Sequence, residues 1–206
     1  MSKFIFSVLL AFITVFSVSA ASAGKNCGNY RDVKDSDWYC PMLLNLQTKK
    51  ILDDTKKEFK PTQSINRAEA LKMIVEAAGQ AKGVYANDLF EIKNSEWYSP
   101  YFHFAYANKM IQAEKLKLNP SKTVSKAEFL LLLVRSSQVW ENYDTEIGEC
   151  YTKMRKIVLS EFVGGNTDQN IRYLCAAEQM QMADRFDEAV LNRATAMAIL
   201  YKAFTN

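Results

Sequence analysis

The sequence predicts an all-α protein assembled from repeated helix–loop–helix units, and three observations carry that prediction. A five-residue wording recurs as Ile65-Asn66-Arg67-Ala68-Glu69, then Val124-Ser125-Lys126-Ala127-Glu128, and more loosely Leu191-Asn192-Arg193-Ala194-Thr195. A Trp-Tyr pair precedes each of the first two copies, Trp38-Tyr39 and Trp97-Tyr98, and it moves by the same interval as the wording: Trp38 to Trp97, Asn66 to Ser125. Two separate landmarks moving by one period mark an internal repeat, which sets the architecture before any local assignment. The apolar residues after each copy fall at helical spacing, and no stretch sustains the two-residue alternation of a strand.

Met1 to Ala23 reads as a signal peptide: Lys3 gives the positive start, Phe4 to Val18 is apolar, and Ala21-Ser22-Ala23 is a small-x-small cleavage site. Cleavage after Ala20 fits the same pattern. The apolar run is short for a membrane span, and no later stretch qualifies as one. The reading is therefore an exported protein running from Gly24 to Asn206 after processing, enough for a real core. Its formal charge falls from +3 to +2 on losing Lys3. Such a balance excludes broad nucleic-acid binding and leaves anion recognition to local sites.

Unit one spans 24–80. Asp35-Ser36-Asp37 forms a polar turn, and Trp38, Tyr39, Met42, Leu43 and Leu46 follow at helical spacing, with Pro41 tolerated in the first turn. A loop from Leu52 to Ser64 leads to a second helix, Arg67 to Ala78, stopped by Gly79. Unit two spans 88–137, with a first helix through Trp97, Tyr98, Tyr101, Phe102 and Ala105 and a second beginning at Ser125. Unit three, 149–206, is irregular: an extra apolar stretch from Tyr151 to Val163, a break at Gly164-Gly165, a helix from about Gln169 to Met182, and a last helix from Arg193 to Phe204. Four cysteines in an exported chain imply two disulfides. Three connectivities are possible, and position favours Cys27–Cys40 with Cys150–Cys175.

The repeated wording is first of all a helix start. Asn66 and Ser125 are N-cap residues with Glu69 and Glu128 three positions on, which makes two capping boxes. Ile65, Val124 and Leu191 can staple onto the helix. The cations are not explained this way, because Arg67, Lys126 and Arg193 sit at the positive end of the helix dipole. Backbone donors plus a charged side chain make an anion site, and that is the expectation here.

These residues resemble the S-layer homology (SLH) family. The lead-in Tyr30-Arg31-Asp32-Val33, the Trp-Tyr pairs, Ile51-Leu52 and Met110-Ile111, the loop prolines Pro61 and Pro120, and the Asn-Arg-Ala-Glu and Ser-Lys-Ala-Glu helix starts are its counterparts. The resemblance implies three tandem modules in a pseudo-threefold helical arrangement with grooves between lobes. It implies non-covalent attachment to cell-wall polysaccharide, often pyruvylated, through Arg67, Lys126 and Arg193 with Trp38 and Trp97 beside them. A ketal carboxylate suits a guanidinium at a helix start. The departures are Lys126 for arginine, Thr195 for the acid, no tryptophan in the first helix of unit three, and loops without glycine.

Read from spacing alone, Trp38 and Trp97 belong to the core, with a sugar platform as the alternative. His103 has no nucleophile partner and reads as a surface or groove residue. Asp35 and Asp37 read as turn chemistry rather than calcium ligands. Lys56-Lys57-Glu58-Phe59-Lys60 reads as a solvated loop, with polysaccharide contact as the sharper option. No nucleophile motif, phosphate loop, C-x-x-C or Cys/His cluster is present, so neither catalysis, nor a metal, nor a cofactor is expected. The function expected is an envelope glycan anchor, and the alternative is an envelope protein-interaction scaffold that keeps the fold without the sugar.

Overall fold

A computed structural model describes residues 24–52, 55–80, 83, 85, 87–112, 118–136, 150, 154, 164–179, 181 and 190–205. The segment Met1–Ala23, expected to be a signal peptide, and most of the stretch from Tyr151 to Val163 lie outside these residues. Among those described, six helices and no strand are present: α1 Cys40–Thr48, α2 Arg67–Ala77, α3 Ser99–Ala107, α4 Lys126–Ser136, α5 Thr167–Gln179 and α6 Arg193–Thr205. The fold is all-α.

The period of the sequence survives in three dimensions. Helices α3 and α4 begin and end one full period after α1 and α2. The Leu46 carbonyl accepts from the N–H groups of Ile51 and Leu52, and the Ala105 carbonyl accepts from Met110 and Ile111. The Asp32 carboxylate accepts from Phe59 and Lys60 N–H at 2.9 and 2.7 Å, while Glu91 accepts from Leu118 N–H at 3.2 Å. Left-handed backbone recurs at Lys50 and Lys109 and again at Lys60 and Asn119.

Helix starts follow their capping chemistry. Asn66 Oδ1 accepts from Glu69 N–H and Glu69 Oε2 accepts from Asn66 N–H, at 2.9 and 3.0 Å, a complete capping box. Ser125 Oγ accepts from Glu128 N–H at 3.2 Å, and Asn192 Oδ1 from Thr195 N–H at 2.9 Å. The first helices of units one and two start later than expected. Trp38-Tyr39 and Trp97-Tyr98 lie in the turn ahead of α1 and α3, where the carbonyls of Asp37 and Glu96 receive the N–H of Cys40 and Ser99. Their placement corrects the core reading: Trp38 is 60% exposed and Trp97 55% exposed. A residue in that turn is outside the helical period, so spacing does not bring it to the buried face.

The three helix starts meet. Ile65 N–H donates to Leu191 O at 3.0 Å, Leu191 N–H to Val124 O at 3.0 Å, and Val124 N–H to Ile65 O at 3.1 Å. All three side chains are buried, so this cyclic set of hydrogen bonds lies in the core. Around it α4 is buried continuously from Ala127 to Val134, and an all-round apolar helix of this kind is a central one. It packs on α2 and α5, while α2 also meets α3 and α6, and α6 meets α1.

Arg67 belongs to this junction. It is 3% exposed, with Nε donating to Glu128 Oε1 at 3.0 Å and Nη1 to the Leu118 carbonyl at 2.9 Å. Glu128 is likewise buried. On the other flank Arg135, from α4, donates to the carbonyls of Met110 and Gly164 at 3.0 Å each and to Asn170 Oδ1, tying unit two to the start of α5. Gly165 (φ +83°) lies beneath it, and a Cβ there would stand 2.8 Å from Arg135 Nη2. Disulfides join Cys27 to Cys40 and Cys150 to Cys175. Unit two has Ser99, fully buried, at the position of Cys40.

Removing one member of a buried ion pair leaves an uncompensated charge. Arg67→Ala is expected to cost about 3–5 kcal/mol in chemical denaturation. Replacing both partners, as in Arg67→Met with Glu128→Leu, is expected to recover most of that loss. A loss below about 1 kcal/mol for Arg67→Ala would mean that the pair does not hold the junction.

Candidate functional site

Helix α2 presents Glu69, Lys72, Met73 and Glu76 towards a neighbouring aromatic residue and a neighbouring cation, and these surround a cleft of about 300 Å³. Trp97 of unit two and Arg193 from the start of α6 also line it, together with the apolar Tyr30, Phe59 and Ile51 of unit one. Arg193 Nη2 donates to Glu69 Oε1 at 2.7 Å, and its side chain remains 22% exposed. Glu69 therefore caps α2 with one oxygen and orients a guanidinium with the other. Arg193 Nε is buried with no hydrogen-bond partner. Lys72 Nζ stands 5.9 Å from the Trp97 ring centroid, within cation–π range. Glu76 accepts from the Tyr101 hydroxyl at 2.7 Å. The cleft thus offers a ring face, an oriented guanidinium and an ammonium, a combination suited to an anionic sugar.

A second depression of about 510 Å³ adjoins it, sharing Arg193, Glu69, Lys56, Glu58 and Phe59 and extending to Arg31, Lys57, Lys60 and Gln63.

The sequence-predicted residues divide between structure and cleft. Arg193 and Trp97 come together in the cleft. Arg67 is instead buried in the junction, and Trp38 is exposed without lining the cleft. Asn66 and Ser125 act as caps, and Lys126 is half-buried in the first turn of α4. At the starts of α2 and α6 the expected backbone donors are occupied. Arg67 and Ala68 N–H donate to the carbonyls of Lys122 and Pro120, and Arg193 and Ala194 N–H to those of Gln63 and Pro61. At both of these starts a loop distant in sequence docks over the helix and occupies its first-turn donors, which leaves side chains as the groups open to solvent there. Sequence reasoning missed Lys72. The signal was present, since unit two has Leu131 at the corresponding position and Lys72 breaks an otherwise apolar row.

Residues 29–71 match the S-layer homology domain family. They contain α1, the lysine-bearing loop and the capped start of α2. The chain is also similar to an exoglucanase, XynX, of Acetivibrio thermocellus, at 22% identity over 59% of this chain and 11% of that protein. It is 21% identical to an amylopullulanase of Thermoanaerobacterium thermosulfurigenes over 57% of this chain and 6% of that protein. A surface-layer 125 kDa protein of Lysinibacillus sphaericus is 26% identical over 60% of this chain and 11% of that protein. The aligned part is about a tenth or less of each relative's length. Among the described residues no helix is long and apolar enough to cross a membrane.

Burial pushes Arg135 down to about 10, so it stays charged at neutral pH while donating to its carbonyls. His103 lies on α3, the helix that packs on α2, and is stacked on Tyr85 with ring centroids 4.2 Å apart. Burial lowers its pKa below 6.5, against smaller raising contributions from the Asn87 backbone and Asp88. The unfolded chain therefore binds this proton more readily, and stability falls as pH drops through about 6.5 towards the folded value. His103→Gln is expected to flatten that part of the curve of Tm against pH. An unchanged slope in the variant would remove His103 as its source.

Proposed function

We propose that this chain is a non-catalytic cell-envelope module that attaches to an anionic wall polysaccharide through the cleft between α2, Trp97 and Arg193. In this reading the molecule is exported, the segment Met1–Ala23 is a signal peptide, and three S-layer homology units share one junction. The observation that carries it is that one cleft is lined by an exposed indole and by a guanidinium already oriented by Glu69. An aromatic face takes the apolar face of a sugar ring, and the fork of an arginine takes a carboxylate bidentately. The family match and the similarity to one surface-layer protein support envelope attachment. The ligand chemistry, a pyruvyl carboxylate or another acidic substituent, is the finer part of the proposal.

A second reading is favoured by one specific observation. Arg67 is committed to Glu128, and the first turns of α2 and α6 have their donors occupied. A scaffold that keeps the fold and binds an envelope protein would look the same at those positions. The two readings diverge at Arg193.

Sedimentation with purified sacculi, before and after removal of the non-peptidoglycan polysaccharide, tests the proposal. Wild type is expected to sediment only with the untreated material. Arg193→Ala and Trp97→Ala, checked for folding by circular dichroism, are each expected to weaken binding about tenfold or more. A folded wild type that stays in the supernatant would contradict glycan anchoring and favour a protein partner.

A further inference from the structure

The two adjoining concavities differ in charge. In the cleft, Lys56, Lys72 and Arg193 face Glu58, Glu69 and Glu76, a formal balance of zero. In the shallower depression, Arg31, Lys56, Lys57, Lys60 and Arg193 face Glu58 and Glu69, a formal excess of three positive charges. Arg193 engages Glu69 at 2.7 Å, and Glu58 stands 3.7 Å from Lys60. Neither acid offsets the remaining trio of Arg31, Lys56 and Lys57. The loop that carries the lysines is held in place. The Asp32 carboxylate receives the N–H groups of Phe59 and Lys60, and Arg31 N–H donates to the Lys57 carbonyl at 2.8 Å. Lys60 is fixed there with a left-handed φ of 58°, a conformation in which a side chain costs roughly 1–2 kcal/mol.

We infer that this depression is a phosphate subsite, and that the polymer in the cleft carries phosphate groups along its length rather than one acidic substituent. The inference rests on the glycan-anchoring reading above. One carboxylate held by Arg193 would leave the neighbouring excess of three cations uncompensated. Lysine ammonium groups bind phosphate as compact point charges, and the forks of Arg31 and Arg193 match phosphate oxygens bidentately, so the mixed set suits a repeated phosphate. The cleft and the depression share Arg193, Lys56 and Phe59, so a single strand passes from the aromatic face to the basic one without leaving the protein. Exposed cations act through a screened field, so the signature of the subsite is salt dependence.

The test is titration calorimetry of the protein, purified from an oxidising secretion host, with poly(glycerol phosphate), polygalacturonate of equal charge number, and neutral dextran. Poly(glycerol phosphate) is expected to bind with an affinity that falls as salt rises, at a logarithmic slope of about two to three. Lys56→Gln with Lys57→Gln is expected to weaken binding about tenfold and lower the slope by about two. Polygalacturonate is expected to bind at least about tenfold more weakly, and dextran weakest of all. Equal binding of polygalacturonate, or a slope unchanged in the double variant, would overturn the phosphate subsite. Sedimentation with sacculi separates the two levels of the account. Wild type and the lysine variant sedimenting equally would overturn the phosphate subsite alone, whereas a wild type that never sediments would overturn anchoring as well.

Discussion

The cyclic set of hydrogen bonds among Ile65, Val124 and Leu191 is the constraint on which the rest depends. Each residue precedes a helix, and each lends its backbone to a residue far away in sequence. Because the N–H and carbonyl of all three are used in the core, none of the three helix starts can move without orphaning a buried polar group. The Arg67–Glu128 pair reinforces the same junction between the first two copies. The Arg193–Glu69 pair repeats that relation between the third copy and the first, but nearer solvent. By the same succession Lys126 would address position 195, where Thr195 supplies no carboxylate. The repeated wording is thus a set of coupling devices before it is anything else.

That coupling decides where recognition can occur. A helix start whose first-turn donors receive a neighbour's loop carbonyls cannot also cradle an anion, which leaves side chains as the means of contact. Arg193 retains access because its acid partner is at the rim of the cleft, whereas Arg67 is sealed beneath Leu118. Trp97 reaches the cleft because the turn before α3 places it outside the helix's buried face. Lys72 then enlarges the cationic edge where unit two has a leucine. One repeated motif therefore buries its cation in one copy and leaves it partly exposed at a cleft in another, according to what stands opposite.

Much of this was legible in the sequence. The common period of units one and two, the capped start at Asn66, the all-α class and the pairing of Cys27 with Cys40 and Cys150 with Cys175 each follow from local chemistry and position in the chain. The fate of Arg67 was not legible. Its burial depends on Glu128, far along the chain, and a repeat shows that two helix starts are alike without showing that they touch. The tryptophans escape the period for a related reason, since helical spacing does not extend into the turn that holds them. The loops without glycine conceal another local substitution. Within them Lys60 and Asn119 adopt the left-handed conformation that glycine ordinarily supplies, so the turn geometry persists with a side chain in place of bare backbone.

The central claim is that three helix starts form one cooperative junction, and native-state amide hydrogen exchange at Ile65, Val124 and Leu191 tests it most directly. If the ring holds as described, the three amides open together, with equal free energies that match global unfolding and fall in parallel as denaturant is added. Leu191 exchanging through a separate, lower-energy opening while Ile65 and Val124 stay protected would contradict the account. The last helix would then be an appended element, and a cleft that depends on Arg193 would lack the rigid support argued for it.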